Sequence, residues 1–412
     1  MLIFHNAFLI DGISDDAIEC GLLIVENDKI VYAGPHNESL YAKYSQIKDA
    51  VIQDLKGKTL MPGLFDVHIH LSASGEITNI ADKLMYTGGF LAIRGALQAK
   101  KMLEAGFTTV RSLGDMFSID FDIKKAINSE LLPGPRIVAS GRAITVTGGH
   151  GDLYPDDVKV EGVSEICDSI DDIVRAVRNR IKHGAECIKF MATGGGGTPG
   201  PATATKMSIE AMAAGVKEAS YRGLVTAAHA IGAEGINFAL KAGIRTIEHG
   251  VYLDDEGIEE MLRREVWLVP TLAAYKTILH GYKGGVSPEQ VKKVTEFSDA
   301  IGETLQRARK AGVKFAAGTD CGTPFNCPGE NAYELNRFVY WGFSPMETIK
   351  IATSSSAEAI KQNDTGSLQE GKTADLIIVN GNPLSNIGVL ENVENIKAVY
   401  RSGKLMVNRT EG

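Results

Sequence analysis

The sequence predicts an α/β fold, a TIM (β/α)8 barrel beside a composite β-sandwich formed from both termini, and three observations predict it. Between residues 63 and 362 helical periodicity repeatedly closes on a glycine and gives way to a short apolar run, as in KKMLEAGFTTVRSLGD, RNRIKHGAECIKFMATGG, KEASYRGLVTAAHA, FALKAGIRTIEHG and RARKAGVKFAAGTD. Each phrase reads as a helix, a glycine just past its end and a strand, because glycine accepts the left-handed turn that stops a helix. Strands placed over 64–71, 107–113, 136–141, 186–192, 224–229, 244–248, 266–271 and 313–319 number eight, with helical stretches between them, and eight β/α units make a barrel. The two ends of the chain read differently, with a period of two.

At the N-terminus MLIFHNAFLIDG, CGLLIVENDKIVYAGP and AVIQDLKGKTLMPG alternate apolar and polar residues, and Asp-Gly, Asn-Asp and Gly-Pro pairs separate the runs. Such punctuation predicts antiparallel strands. At the C-terminus GKTADLIIVNGNPL and IKAVYRSGKLMVN repeat the pattern. The division expected is therefore 1–62 and 363–412 in one small sheet domain, with 63–362 as the barrel. A doubly wound open sheet would carry a glycine-rich phosphate turn after its first strand, and none follows residue 71. The later run GGGGTPGPATAT, residues 194–205, lacks the GxxxxGK[ST] spacing and is read as a mobile loop over the barrel mouth.

Composition narrows the function classes. The chain has 412 residues, 44% hydrophobic and 23% charged, and its glycines fall at the ends of apolar segments, which excludes a disordered chain. A net charge of -8 without clustered lysines and arginines argues against a nucleic-acid partner. No apolar stretch reaches the roughly 18 to 20 residues of a membrane span. The start MLIFHNAFLIDG lacks a basic region and a cleavage site and reads as a strand and not a signal peptide. Five cysteines, odd in number and scattered, suit reduced thiols, so a cytoplasmic protein is expected.

Polar residues collect at the strand ends. In FDVHIHL, His68 and His70 are two apart and project to one face of a strand. The fifth strand ends in VTAAHA with His229, the sixth in TIEHG with His249, and the eighth in AAGTDCGTP with Asp320. Active sites of this fold lie at the C-terminal ends of its strands. Four imidazoles and a carboxylate on one rim match the ligands that zinc or a similar first-row divalent ion takes. Lys189, ending the fourth strand in CIKFMAT, conflicts with such a site, since like unit charges about 4 Å apart repel by about 4 kcal/mol at an effective dielectric near 20. A carbamate on its amine would reverse that charge and supply two oxygens able to bridge two metals.

These motifs, with LMPGLFDVHIH where the barrel begins and GSLQEGKTADLIIV where it ends, resemble the amidohydrolase superfamily, and within it the imidazolonepropionase-like group that includes prolidase-like dipeptidases. The resemblance covers nearly the whole chain. It implies a binuclear centre in which His68, His70 and Asp320 hold one divalent ion, His229 and His249 hold the other, and carboxylated Lys189 bridges them, with zinc the expected metal. It implies hydrolysis of an amide by a metal-bridging hydroxide, with Asp320 as general base. TVTGGHGDLYP resembles a family loop whose histidine reaches the reacting carbonyl, which makes His150 a catalytic and substrate-binding candidate.

The substrate class implied is a small molecule, a dipeptide or N-acyl amino acid of the Xaa-Pro dipeptidase or Xaa-Arg/Lys carboxypeptidase type. Cyclic-amide hydrolysis, toxin-amide hydrolysis and deamination are the alternatives on the same scaffold, and mononuclear deaminases lack the bridging lysine. Members acting on dipeptides often carry Tyr or His two positions after the fifth-strand histidine; here Ile231 stands there and is a substrate-contact candidate. Arg111, Arg142 and Tyr86 lie near element ends and read as structural side chains, as do His5, His36, His183 and His280. The family is mostly oligomeric, so a homo-oligomer is expected.

Overall fold

The N-terminal strands pair both ways. The structure, a computed structural model, describes residues 1–76, 84–276 and 285–409. Strand β1 (Leu2–Leu9) pairs antiparallel with β2 (Ile18–Glu26), and β2 with β3 (Lys29–Pro35) across the Asn27-Asp28 turn. Helix α1 (Glu38–Ser45), capped by the Asn37 side chain on Leu40 N, follows a stretch that carries no strand period. Then β4 (Val51–Asp54) and β5 (Thr59–Pro62) both run parallel to β1. The purely antiparallel reading of this segment is therefore corrected. Parallel neighbours need a crossover, and the β2, β3 and α1 excursion provides it.

From residue 64 the strands are parallel. β6 (Leu64–Ile69), β7 (Phe107–Ser112) and β8 (Arg136–Ala139) make a three-stranded sheet in that order. β9 (Ala143–Thr145), β10 (Ser164–Ile166), β11 (Cys187–Met191), β12 (Val225–Ala230), β13 (Thr246–His249), β14 (Trp267–Val269) and β15 (Lys314–Phe315) make a second, in the order β10-β9-β11-β12-β13-β14-β15. All eight expected strands are present, and the short β9 and β10 are additional. Backbone bonds join the two sheets at both edges of the smaller one: just before β11, Glu186 N donates to Ala139 O of β8 at 3.0 Å, while Val67 N of β6 donates to Ala317 O at 2.8 Å and Asp320 N to His68 O at 2.7 Å.

Helices α2 (Gly88–Glu104), α3 (Ile119–Asn128), α4 (Ile170–Lys182), α5 (Ile209–Ser220), α6 (Ala233–Lys241), α7 (Asp255–Arg264) and α8 (Pro288–Ala311) alternate with these strands. Five of these seven starts carry side-chain caps, with Thr87 capping α2, Ser169 and Asp172 forming a reciprocal capping box on α4, and Ser208, Asp254 and Ser287 capping α5, α7 and α8. Gly106, Gly184, Gly243 and Gly312 stand just past helix ends at φ near +90°, as the repeated phrase requires. Helix α9 (Tyr333–Tyr340) follows β15.

Phe65, Val138, Cys187, Val225 and Trp267, drawn from five strands, and Ala316, just past β15, form a buried apolar layer. Phe65, Cys187, Val225 and Ala316 precede His68, Lys189, His229 and Asp320 along the chain, so the site sits on a packed floor. Filling that floor with large side chains stabilises the strand set by roughly 1.5–3 kcal/mol per fully buried residue.

The chain then returns to its first sheet. β16 (Leu376–Val379) pairs antiparallel with β5, β17 (Ile396–Arg401) with β16, and β18 (Lys404–Asn408) with β17. Strands of both termini thus share one eight-stranded sheet, in a mixed α/β fold. Among the described residues no helix is long and apolar enough to cross a membrane.

Candidate metal centre

Parallel strands that end together bring five imidazoles, a lysine and a carboxylate into one cavity of about 340 Å³, lined by His68, His70, His150, Lys189, His229, His249 and Asp320. Ring centroids stand 5.5 Å apart for His68 and His70, 5.2 Å for His68 and His249, 4.6 Å for His229 and His249, and 4.2 Å for His150 stacked on His229. Asp320 Oδ1 is 3.1 Å from His70 Nε2 and 3.6 Å from His68 Nε2. Among the described residues His68, His70 and Asp320 form a group able to hold a metal ion, with one ligand atom from each lying within 4.8 Å of the others.

Each strand-end imidazole uses one ring nitrogen on a protein partner. His68 Nδ1 donates to Glu248 Oε2 at 2.8 Å, His70 Nδ1 to Gly114 O at 2.8 Å, and His229 Nε2 to Gly194 O at 2.7 Å. These acceptors carry no proton, so the ring nitrogens must. His249 Nδ1 meets Thr271 Oγ1 at 2.7 Å. For His68 and His229 the opposite nitrogen is left as a lone pair able to bind a cation, the arrangement that partners of metal-binding histidines enforce. His70 Nε2 instead faces Asp320 Oδ1; burial would lower that imidazole, but the hydrogen bond and charge of Asp320 outweigh it and raise the ring.

Burial pushes the His68 and His229 imidazoles well below their ordinary range and His249 to about 4, so these rings are neutral, the form that ligates. Burial also brings His150 to about 4. Burial alone would raise the Asp320 carboxyl, but the facing imidazoles of His68 and His70 reverse this and hold it below the usual carboxylate range. Burial lowers Lys189 to about 8. Its Nζ, on a residue 2% exposed, has no hydrogen-bond partner among the described residues.

His249 and Asp320 both have left-handed backbones, at φ 70° and 58°, as does Thr271 at 51°. Non-glycine residues in that region store about 1–3 kcal/mol each where surrounding structure enforces it. His249 is the last residue of β13, Thr271 and Asp320 follow β14 and β15, and all three line the cavity. Gly318 allows the eighth segment to lie against β6, since a Cβ there would come within 2.8 Å of the His68 Cβ.

Behind His68 lies an ion pair that sequence reasoning missed. Arg111 Nη2 bonds Glu248 Oε1 at 2.8 Å, Arg111 Nε donates to Val67 O at 2.6 Å, and Thr246 hydroxyl bridges the two side chains. Opposite charges inside two apolar strands, VRS and TIEHG, were the available signal. Arg111 is thus structural, as expected. Arg142 donates to Gly162 O and Ser164 O, and Tyr86 stacks on Phe90 under the Arg94 guanidinium. His5 and His36 pack on Tyr41, and His183 stacks on Phe121. His280 lies outside the described residues.

His150 lines the cavity, its Nδ1 2.5 Å from Thr198 Oγ1. Ile231 also lines it, buried in an apolar cluster with Ala202, Val251 and Phe297. Leu153, Met191 and Val294 extend this wall, and Val294 and Phe297 come from α8, which no motif had flagged.

Parallel β/α repeats thus gather histidines and an aspartate into a group able to hold a metal ion. The chain belongs to the amidohydrolase family, whose model matches residues 59–406. It is 31% identical to an ochratoxinase of Aspergillus niger over 98% of this chain and 86% of that protein. It is 26% identical to an imidazolonepropionase of Geobacillus kaustophilus over 95% of this chain and 91% of that one. A solved Xaa-Pro dipeptidase with methionine in its active site matches 98% of this chain and 99% of its own at 33% identity, with a TM-score of 0.88. The protein is accordingly a hydrolase that acts on amide bonds.

Proposed function

We propose that this chain is a binuclear metal-dependent amidohydrolase that cleaves the amide of a small N-acyl amino acid or dipeptide carrying an apolar group. Residues 63–362 form the (β/α)8 barrel of this reading, and residues 1–62 and 363–412 its composite β-sandwich. His68, His70 and Asp320 would hold one divalent ion, His229 and His249 the other, and a carbamate on Lys189 would bridge them. One observation carries the reading: four strand-end imidazoles, each held by a protein partner on one ring nitrogen, line the cavity that also holds Lys189, whose Nζ has no hydrogen-bond partner among the described residues. A fully buried amine without an acceptor among the described residues is unfavourable as an ammonium and suited to carboxylation by CO2, with a proton released. Divalent ions held there, zinc being the expected one, would supply a nucleophilic hydroxide at neutral pH and polarise the carbonyl.

The chain's own residues do the rest. Asp320, ionised and facing the cavity, takes the proton of the attacking oxygen and passes it to the leaving amine. His150, opposite, donates from Nε2 to the carbonyl oxygen as charge develops there. The wall of Leu153, Met191, Ile231, Val251, Val294 and Phe297 receives the apolar part of the substrate and excludes water. The ochratoxinase and Xaa-Pro dipeptidase relatives are consistent with that substrate class. A panel of N-acyl aromatic amino acids, Xaa-Pro, Xaa-Arg and Xaa-Lys dipeptides tests the reading on zinc-loaded protein. Release of a free amino acid with preference for apolar groups is expected; turnover of none of them by metal-replete protein would overturn it.

A further inference from the structure

The glycine-rich loop after β11 touches two of the site imidazoles. Gly194 O accepts from His229 Nε2, so that ring's proton is committed away from the cavity. Gly195 underlies His150, and a Cβ there would fall 2.3 Å from the ring's Cε1 and 2.4 Å from Nδ1. Thr198, 5% exposed, places Oγ1 2.5 Å from His150 Nδ1. Its own carbonyl accepts from Lys293 Nζ on α8 at 2.8 Å, and Lys293 is paired with Glu289, so the threonine is tied to a helix. His150 Nε2 has no hydrogen-bond partner among the described residues.

A neutral imidazole carries one N–H, and only one of its two nitrogens can donate. A hydroxyl can donate or accept. If Thr198 accepts from Nδ1, Nε2 presents a lone pair to the cavity and repels a carbonyl oxygen. If Thr198 donates to Nδ1, the ring proton resides on Nε2. We infer that Thr198 is a positioning residue that sets the tautomer of His150, its hydroxyl donating to Nδ1 so that Nε2–H faces the substrate carbonyl. Gly195 gives the ring room to lie there. This rests on the reading of His150 as the carbonyl donor.

The test combines a spectroscopic and a kinetic measurement on zinc-loaded protein: wild type, Thr198→Ser, Thr198→Val and His150→Ala. With 15N-labelled histidine, and His150→Ala to assign the signal, wild type and Thr198→Ser show His150 with bare Nδ1 and protonated Nε2. In Thr198→Val the proton is redistributed. For N-benzoyl-L-phenylalanine hydrolysis, kcat of Thr198→Val falls about tenfold with KM nearly constant, Thr198→Ser stays near wild type, and bound zinc is unchanged. A protonated Nδ1 in wild type overturns the inference, and that spectrum decides even if the valine variant does not fold. A Thr198→Val protein with wild-type tautomer and kcat overturns it as well. If His150→Ala is slow while Thr198→Val is not, only the role of Thr198 falls; if His150→Ala is as fast as wild type, the reading of His150 falls with it.

Discussion

Glu248 Oε2 lies 2.8 Å from His68 Nδ1, and the other oxygen of the same carboxylate lies 2.8 Å from Arg111 Nη2, with both Glu248 and Arg111 fully buried. One oxygen of the carboxylate thus meets the guanidinium while the other fixes the proton of His68 on Nδ1. Replacing Glu248 with Gln leaves Arg111 as an uncompensated buried charge, which should destabilise the fold by about 3–5 kcal/mol. Metal affinity should fall about 10- to 100-fold, because the His68 ring loses its orienting partner. Urea denaturation of the metal-free protein measures the first effect and competitive chelator titration the second.

Lys189 offers a sharper test of the bridge. Lys189→Ala removes the carbamate without placing a new charge in the cavity, and bound metal should drop from about two ions per chain to about one, with activity lost. A short carboxylic acid added at high concentration should restore part of that activity by supplying the two missing oxygens. Lys189→Arg, which brings a permanent cation and cannot be carboxylated, should not respond. Metal analysis and rescue kinetics together check this.

Ile231 shapes the apolar wall with Val251 and Phe297. Truncation to Ala enlarges the cavity where the substrate's apolar group binds, and a contact of this kind contributes about 1–3 kcal/mol. For N-benzoyl-L-phenylalanine, KM should rise roughly 10-fold or more with kcat little changed. Steady-state kinetics on both proteins would show it, and an unchanged KM would remove Ile231 from the substrate path.

Asp120 sets a pH dependence of stability away from the site. It is fully buried at the start of α3, one oxygen accepting from Gly141 N at 2.7 Å and the other without a partner among the described residues. Burial, and then the nearby Asp115, raise it to about 7 from 3.8. Between those values the folded protein holds a proton that the unfolded chain releases, so its contribution is full below about pH 4 and is lost as pH rises through 7. The slope in that window approaches about 1.4 kcal/mol per pH unit. Asp120→Asn should flatten the decline, making the variant relatively more stable at pH 8 than at pH 5 in urea titrations.

Much of this was legible in the chain because β/α repeats are local. A helix, a glycine and a strand recur within about 25 residues, so eight strands, and the polar residues that end five of them, could be placed from periodicity. His68, His70, Lys189, His229, His249 and Asp320 were found that way, and all of them line one cavity. Pairing of β1 with β4 and β5 was not legible, because the alternation of a strand states its faces and not its neighbours or their direction. β9 and β10 escaped notice at three residues each, too short for a period. The contacts of Thr198 and Gly194 lay in a loop without periodicity. Left-handed turns at His249 and Asp320 left no mark either, since neither is glycine.

The proposed function requires two metal ions between β6, β11, β12, β13 and the segment after β15. Anomalous scattering from crystals of zinc-loaded protein tests it most directly. Two peaks roughly 3.5–4 Å apart, one among His68, His70 and Asp320 and one beside His229 and His249, with density for a carboxylated Lys189 between them, are the predicted result. No zinc at these residues, or a single ion with the Lys189 amine unmodified, would contradict it.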